Sequence, residues 1–296
     1  MPSPHDLWLS RLAHLRKDRS RGIAPNKPLL HLVVLDLFEA GKLASGEFQR
    51  DGELAFRFNA YWSLGALGRG SRPDVKLPFF HSRNDGFWSP HDPDGRESTS
   101  RDLALSARLH PDYLLCLADP AFRAAARQTI LLAHFSGTSR NSLASLLGIE
   151  LPPDTIDLPP PPPSATDTTR KRDTRFSFEV LPAYDFTCAL TGHRMVADDG
   201  TTILDAAHIR PFSHGGPCFV RNGLALSKTA HWLFDRGFWS LSDDLLILVK
   251  PSSFHESGDL SLLLKPKDGL PIRTPSLTSS HPDPTHLAWH RKHHRF

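Results

Sequence analysis

The stretch Leu204-Asp205-Ala206-Ala207-His208-Ile209-Arg210-Pro211-Phe212 decides how this chain is read. The residues from Thr202 predict a strand over 202–208 that ends on an imidazole. Gly215-Gly216-Pro217 makes a turn, and Val220-Arg221-Asn222-Gly223-Leu224 leads into a short strand at Leu224–Leu226. Ser227 opens a helix to Phe234 that carries His231-Trp232-Leu233-Phe234-Asp235. Asn222 stands 14 positions after His208, and His231 a further 9.

Taken singly, each residue has a plain reading. A histidine on a strand is more often structural than catalytic, and Asn-Gly is by default a turn dipeptide. His231 beside Trp232 and Phe234 suits helix packing, and Asp235 before Arg236-Gly237 suits a cap. Their joint order points to one chemistry. Hydrolysing a phosphodiester needs a base to deprotonate water and a divalent cation to neutralise developing charge. It also needs a group that holds the base in a useful tautomer. A strand, a loop and a helix supply His, Asn and His for these tasks. His193 and His214 read as incidental.

With Cys188-Ala189-Leu190-Thr191-Gly192 ahead of it, the segment over about 188–240 resembles the HNH endonucleases of ββα-metal fold. The carriers are the A-A-H-I strand, the N-G-L strand, the H-x-L-F-D helix and the terminal Leu287-Ala288-Trp289-His290-Arg291. The resemblance implies that His208 is the general base, that Asn222 orients it and that His231 is a metal ligand. Relatives place an acidic ligand directly before the base, where this chain has Ala207. Asp205 is the candidate in its stead, brought round by a strand bulge. Arg210 is expected to contact the scissile phosphate. The implied cofactor is Mg²⁺, Mn²⁺ or a similar divalent ion. Many relatives hold a structural zinc with four cysteines. This chain has only Cys116, Cys188 and Cys218, with no CxxC pair, so neither that zinc nor a disulfide framework is expected. All three read as buried small hydrophobes.

Moving outward, residues 151–166 read LPPDTIDLPPPPPSAT. Such a stretch favours polyproline II and predicts a semi-rigid spacer, extended by the polar run Asp167–Asp173. The expected layout is a recognition domain over 1–150, a linker over 151–173 and a nuclease domain over 174–296. In the first domain, helices are predicted near 4–18 and from Pro28 to Gly41, the latter apolar on most sides. ELAFRF at 53–58 alternates like a strand, and Phe79-Phe80 and Gly86-Phe87-Trp88 read as short strands. Helices are expected near 101–106, 111–117, 119–134 and 138–147. In the second domain, 174–184 reads as a helix, Thr187–Leu190 and Leu245–Val249 as strands, and Thr285–His293 as a terminal helix. The fold class is α+β, a mixed α/β reader joined to a ββα-metal nuclease.

Two segments of the first domain carry further chemistry. In Ile23-Ala24-Pro25-Asn26-Lys27-Pro28-Leu29-Leu30, Asn26 and Lys27 can face a phosphate at a helix N-terminus. Arg72-Pro73-Asp74-Val75-Lys76-Leu77-Pro78-Phe79-Phe80-His81-Ser82-Arg83-Asn84-Asp85-Gly86-Phe87-Trp88 mixes basic, aromatic and proline residues. Over about 20–90 the strings A-P-x-K-P-L-L and L-P-F-F-H-x-R-x-D-G-F-W resemble the sulfur-binding domain of phosphorothioate-dependent restriction endonucleases. That resemblance implies a shallow apolar pocket lined by Leu77, Pro78 and His81. It implies a backbone grip by Asn26, Lys27, Arg72 and Arg83, with Tyr61 a further contributor. The plain reading of Pro78, Phe79, Phe80, Phe87 and Trp88 is core and turn.

Length and composition are compatible with this layout. The 296 residues are 39% apolar and 23% charged, with a net charge of +3, so charge alone argues little for nucleic acid. The basic groups Arg11, Arg16, Lys17, Arg19, Arg21, Lys27 and His290, Arg291, Lys292, His293, His294, Arg295 read plainly as solvated faces. No apolar run approaches the roughly 20 residues a bilayer needs, and the start lacks a signal-peptide pattern. A cytoplasmic protein with double-stranded, phosphorothioated DNA as partner is expected. Two-strand cutting with one site per chain fits a homodimer or two molecules acting independently. The alternatives are an HNH enzyme that reads another mark, such as a methylated base, by base flipping or groove contacts, or a DNA-binding module with a weak nuclease.

Overall fold

The computed structural model describes residues 3–16, 25–66, 72–151, 165–260 and 262–296. The readings of Lys17, Arg19, Arg21, Ile23-Ala24 and the polyproline spacer fall outside the described residues. The chain divides into two units, Met1–Ser164 with Ala197–Thr201, and Ala165–Val196 with Thr202–Phe296. No described helix is long and apolar enough to cross a membrane.

The first unit is built round α2 (Asn26–Glu39), whose residues 28–35 are all buried. A helix apolar on every side belongs inside a core. Pro28 sits in its first turn, where a missing N–H is no loss, and Gly41 follows its end at φ 72°. Around it lie α1 (Pro4–Ala13), β1 (Glu47–Gln49), α3 (Gly52–Gly65), α4 (Lys76–His81), β2 (Trp88–His91) and β3 (Ser106–Leu109). α5 (Pro111–Ala118), α6 (Pro120–His134) and α7 (Gly137–Leu147) complete it. The strands form an antiparallel sheet in the order β1-β3-β2.

Three expectations fail here. ELAFRF is part of α3: Asp51 caps the helix by accepting from Leu54 N at 2.9 Å, and Glu53 pairs with Arg57 one turn on. The buried set Leu54, Ala55, Phe58, Tyr61 and Trp62 has helical spacing, which six residues were too few to show. Phe79-Phe80 is helical too, and the Phe79 carbonyl accepts from Trp88 Nε1 at 2.7 Å. The helix expected over 101–106 is a turn, because the segment from Ser106 pairs with strands on both sides. A part-buried charge network ties α2 to α6 and α3. Arg127 donates to Asp36 and Glu39, and Tyr61 donates to Asp36 at 2.6 Å.

The second unit contains α8 (Ala165–Ala183), the hairpin β4 (Leu204–His208) and β5 (Gly223–Ser227), then α9 (Lys228–Asp235). β6 (Trp239–Leu241), β7 (Ile247–Val249) and α10 (Pro284–His294) follow. Residues 165–173, read as the end of the spacer, are helical. Thr187 makes only an isolated bridge, to Arg194, and the segment docks through Ala189 N to Ala225 O at 2.8 Å. β7 starts at Ile247, later than expected, because Leu245 takes a turn conformation at φ 61°.

Each unit buries a neutral histidine. Both ring nitrogens of His31 are buried without a hydrogen-bond partner, and its ring lies 4.2 Å from that of Phe87. Burial, helped by Lys27 and His134, lowers its pKa to about 3. Burial, followed by the charge of His294, lowers that of His290 to about 3 as well. In the unfolded chain each titrates near 6.5. Between pH 6.5 and about 3 the unfolded state therefore holds a proton that the native state refuses. The native state keeps its full advantage above pH 6.5 and loses it as pH falls, by on the order of 1 kcal/mol per pH unit for each histidine. Urea unfolding at pH 7, 6 and 5 should show this slope, and His31→Phe should flatten it by one proton's worth. Equal slopes in the two proteins would contradict the assignment.

Candidate active site

β4 and β5 pair residue for residue, with His208 opposite Gly223 and Asp205 opposite Leu226. At His208 the ring lies flat on Phe176 of α8, with centroids 3.7 Å apart and planes at 11°. That contact explains Gly223. Its φ of −128° is open to any residue, but a Cβ there would come within 2.5 Å of Val180 and 3.0 Å of Phe176. The second half of Asn-Gly therefore lets α8 approach His208 and is not there for the turn. His208 Nε2 stands 3.3 Å from Cys218 Sγ, so the ring plane and one nitrogen are both fixed. Cys218 is half-exposed, which corrects its reading as a buried hydrophobe.

Asn222 is fully buried in the short turn before β5. Its Oδ1 accepts from Arg210 N at 2.9 Å. Its Nδ2 donates to the carbonyls of Arg210 and Pro217, at 2.9 and 2.8 Å. Its own backbone carbonyl accepts from Ile209 N at 2.9 Å. The amide thus fixes the backbone that follows His208 and does not touch the ring. Gly216 belongs to the same corner, since a Cβ there would lie 1.8 Å from the Arg210 carbonyl oxygen. Arg210 itself is half-exposed, and its Nε donates to His214 O at 2.8 Å.

Asp205 needs no bulge. Along the regular strand β4 it shares a face with Ala207, the position directly before the base. Its Oδ2 lies 3.3 Å from His231 Nδ1, and its Oδ1 accepts from Lys228 Nζ at 2.9 Å. On α9, Ser227 caps the helix and Asp235 falls one turn after His231, with Oδ2 3.4 Å from Nε2. Asp235 is therefore more than a cap. Burial raises its carboxyl pKa, partly offset by His231. Among the described residues no three His, Cys, Asp or Glu side chains converge closely enough to enclose a metal ion. Asp205 and His231 nonetheless meet, and the Lys228 ammonium already answers the Asp205 charge. One carboxylate and one imidazole suit a hard divalent ion that keeps most of its shell as water and substrate phosphate.

The first-unit residues are less uniform. Arg72 and His81 are exposed, and Leu77 and Arg83 half-exposed, on and beside α4. Arg83 lies over the Phe80 ring at 4.0 Å and donates to Ser98 O. Partial burial of the ring and the charges of Lys27, Arg83 and Arg101 hold His81 below its ordinary pKa. Three expectations are corrected. Tyr61 is completely buried with its hydroxyl on Asp36, so it cannot reach DNA. Lys27 is mostly buried and ion-paired to Asp85 at 2.5 Å, so it fastens the turn after α4 to α2. Pro78 is buried in α4, and its carbonyl accepts from Ser82. Asn26 Oδ1 is buried without a partner. Sequence reasoning missed Phe176, Gly216, the Cys218 contact and the Asp235 contact. Only Gly216, in a Gly-Gly-Pro turn, carried a readable signal.

The HNH endonuclease family model matches residues 188–242, the span that holds His208, Asn222 and His231, so the second unit contains an HNH endonuclease domain. No curated protein matches this chain. Four solved chains match. One, titled "Modification dependent TagI restriction endonuclease", is 25% identical with a TM-score of 0.28, over 38% of this chain and 35% of that one. The chain thus spans about a third of the length of that protein.

Removing the Asn222 amide would take the partner from three part-buried backbone groups, at a cost of about 1–3 kcal/mol for each that is left unsatisfied. Asn222→Ala should destabilise the second unit by several kcal/mol in urea unfolding. Hydrogen exchange should also show the Arg210 amide losing its protection. An unchanged Arg210 amide would contradict the staple.

Proposed function

We propose that this chain is a metal-dependent DNA endonuclease that acts on modified DNA, with phosphorothioated DNA as its substrate. The observation that carries the nuclease reading is the constrained imidazole of His208, clamped by Phe176 and Cys218 at the end of β4. The His208 ring takes a proton from water as that water attacks phosphorus in line. Asn222 keeps the strand end and the Arg210 backbone in place, and the Arg210 guanidinium meets the phosphate charge. Asp205 and His231 would hold a Mg²⁺ or Mn²⁺ ion, which when bound neutralises charge on the phosphate and the leaving oxygen.

The modification reading rests on the α4 region. Sulfur in place of a non-bridging oxygen is softer and less hydrated, so an apolar surface beside cations favours it over oxygen. The side chains that reach the surface there are of both kinds: Leu77 and His81 with Arg72, Lys76 and Arg83. Pro78 acts from beneath, by setting the shape of α4.

A paired assay tests both parts. Matched duplexes with and without one phosphorothioate linkage are incubated with Mg²⁺ or Mn²⁺ and either the protein or its His208→Ala variant. The protein should cut the sulfur-bearing duplex, and His208→Ala should be slower by roughly 10²–10⁴-fold, the worth of a positioned base. Undiminished cutting by His208→Ala would remove the base assignment. Equal binding of the two duplexes would remove the sulfur reading.

Within the reader, Leu77→Ala and His81→Ala should weaken binding to the sulfur-bearing duplex selectively. Arg72→Ala should weaken both duplexes alike, as a phosphate contact does. A uniform loss in all three variants would make α4 a general phosphate contact.

A further inference from the structure

α10 divides its basic residues between two tasks. His290 is buried, stacked on Phe234 at 3.8 Å and 7°, and bonded to Ser240 Oγ and the Phe234 carbonyl. Arg291 donates to Leu241 O and to Asp243, and the His294 carbonyl accepts from Lys250. With Leu287, these residues fasten the helix to β6 and its surroundings. Lys292, His293 and Arg295 are exposed and Trp289 half-exposed. A face of the same helix, one turn long and carrying Trp289, Lys292 and His293, is thereby turned to solvent, with Arg295 just past its end.

That face continues into the loop after the base. Trp289 stacks on His293 at 4.7 Å and 12°, and its other neighbour is His214 at 5.2 Å. The Arg210 guanidinium lies 5.8 Å from the same indole and is tied to the His214 carbonyl. The start of α10 is pinned to the turn that carries Asn222. Asp283 N donates to Arg221 O at 2.9 Å, and the Asp283 carboxylate pairs with Arg221 at 3.1 Å. The carboxylate at that end is therefore already neutralised. Three rings and the Arg210 guanidinium form one surface beginning two residues after His208, and exposed Lys292 lies one helical turn from Trp289.

We propose that this surface, Arg210, His214, Trp289, Lys292 and His293, is the track on which duplex DNA lies beside the bond to be cut. This inference rests on the nuclease reading above and adds a binding surface to it. Lys292 on the helix and Arg210 on the adjoining loop can each meet a backbone phosphate, and ring N–H groups add donors for phosphate and sugar. Flat stacked rings give that row a fixed geometry. The track carries no base-reading pattern, so it binds sequence-independently and leaves choice of substrate to the first unit.

The test uses the full chain carrying His208→Ala, so that DNA is bound but not cut. Affinity for a short unmodified duplex is measured over a range of salt concentrations for Lys292→Gln, His293→Gln and Trp289→Ala. Affinity should fall roughly threefold to tenfold, and Lys292→Gln should lower the slope of log affinity against log salt by about one. Preference for the phosphorothioate duplex should stay as it was, and Trp289→Phe should restore most of the affinity lost in Trp289→Ala. Thermal unfolding identifies any variant that fails to fold. Lys292→Gln, at an exposed position, is the arm least exposed to that problem. Unchanged affinity and salt slope in folded Lys292→Gln and His293→Gln would overturn the track. A change in sedimentation without DNA, with DNA affinity intact, would make the face a protein contact and overturn it too. Failure of the otherwise native protein to cut DNA would sink the nuclease reading instead, a separate outcome.

Discussion

The side-chain amide of Asn222 bonds the N–H and the C=O of one residue, Arg210, and the C=O of a second, Pro217. A buried amide with both N–H groups and its oxygen committed to backbone is costly to replace. It fixes the turn that leaves β4, and the neighbouring features take their places from it. His208 precedes that turn, Gly216 closes it against Arg210 O, and Cys218 is brought to the Nε2 edge of the imidazole. Arg221, next to Asn222, receives the start of α10. His208, Arg210 and the start of α10 are thus referred to one rigid corner. A positioned base gains its rate advantage from that kind of fixity.

The parts legible in the sequence were those where a local rule and the tertiary demand agree. β4, β5 and α9 were readable because strand, turn and cap signals fall in order, and α2 because its apolar residues exceed any single face. α3 was not, because ELAFRF satisfies a period of two over six residues, and only the Asp51 cap and the later Tyr61 and Trp62 break the tie. β1 and β6, of three residues each, carry no period at all. Among site residues, the HNH positions were legible as a pattern of spacing, but their contacts were not. Asp205 looked out of register because the expectation counted residues from His208. Strand alternation puts it on the face of Ala207, within reach of His231 across the hairpin. Phe176 is invisible to any local rule, since it meets His208 only through the packing of α8.

The same distinction explains why the first-unit residues fared unevenly. Tyr61 and Lys27 are chemically suited to DNA, and the fold uses both internally. Tyr61 supplies a hydrogen bond that a buried Asp36 needs, and Lys27 neutralises an Asp85 that is itself almost wholly buried. A buried carboxylate without such a partner would cost several kcal/mol. Composition cannot tell a lysine committed to an internal pair from one held out to solvent, and a net charge of +3 records neither.

Sorting the cations by their partners changes the electrostatic picture more than counting them. Arg127, Arg123, Arg57, Lys27 and Arg291 each have a carboxylate within hydrogen-bond distance and serve the fold. Arg72, Lys76, Lys292 and Arg295 stand exposed, with Arg83 and Arg210 half-exposed, and they fall in two regions, α4 and the α10 side of the HNH domain. Phosphate binding responds to local cation density within about a Debye length, roughly 8–10 Å, and not to the total charge of the chain. A nearly neutral protein can therefore hold two locally cationic surfaces, one at α4 and one beside α10, while charges such as those of Arg127, Arg57 and Lys27 are matched by buried carboxylates.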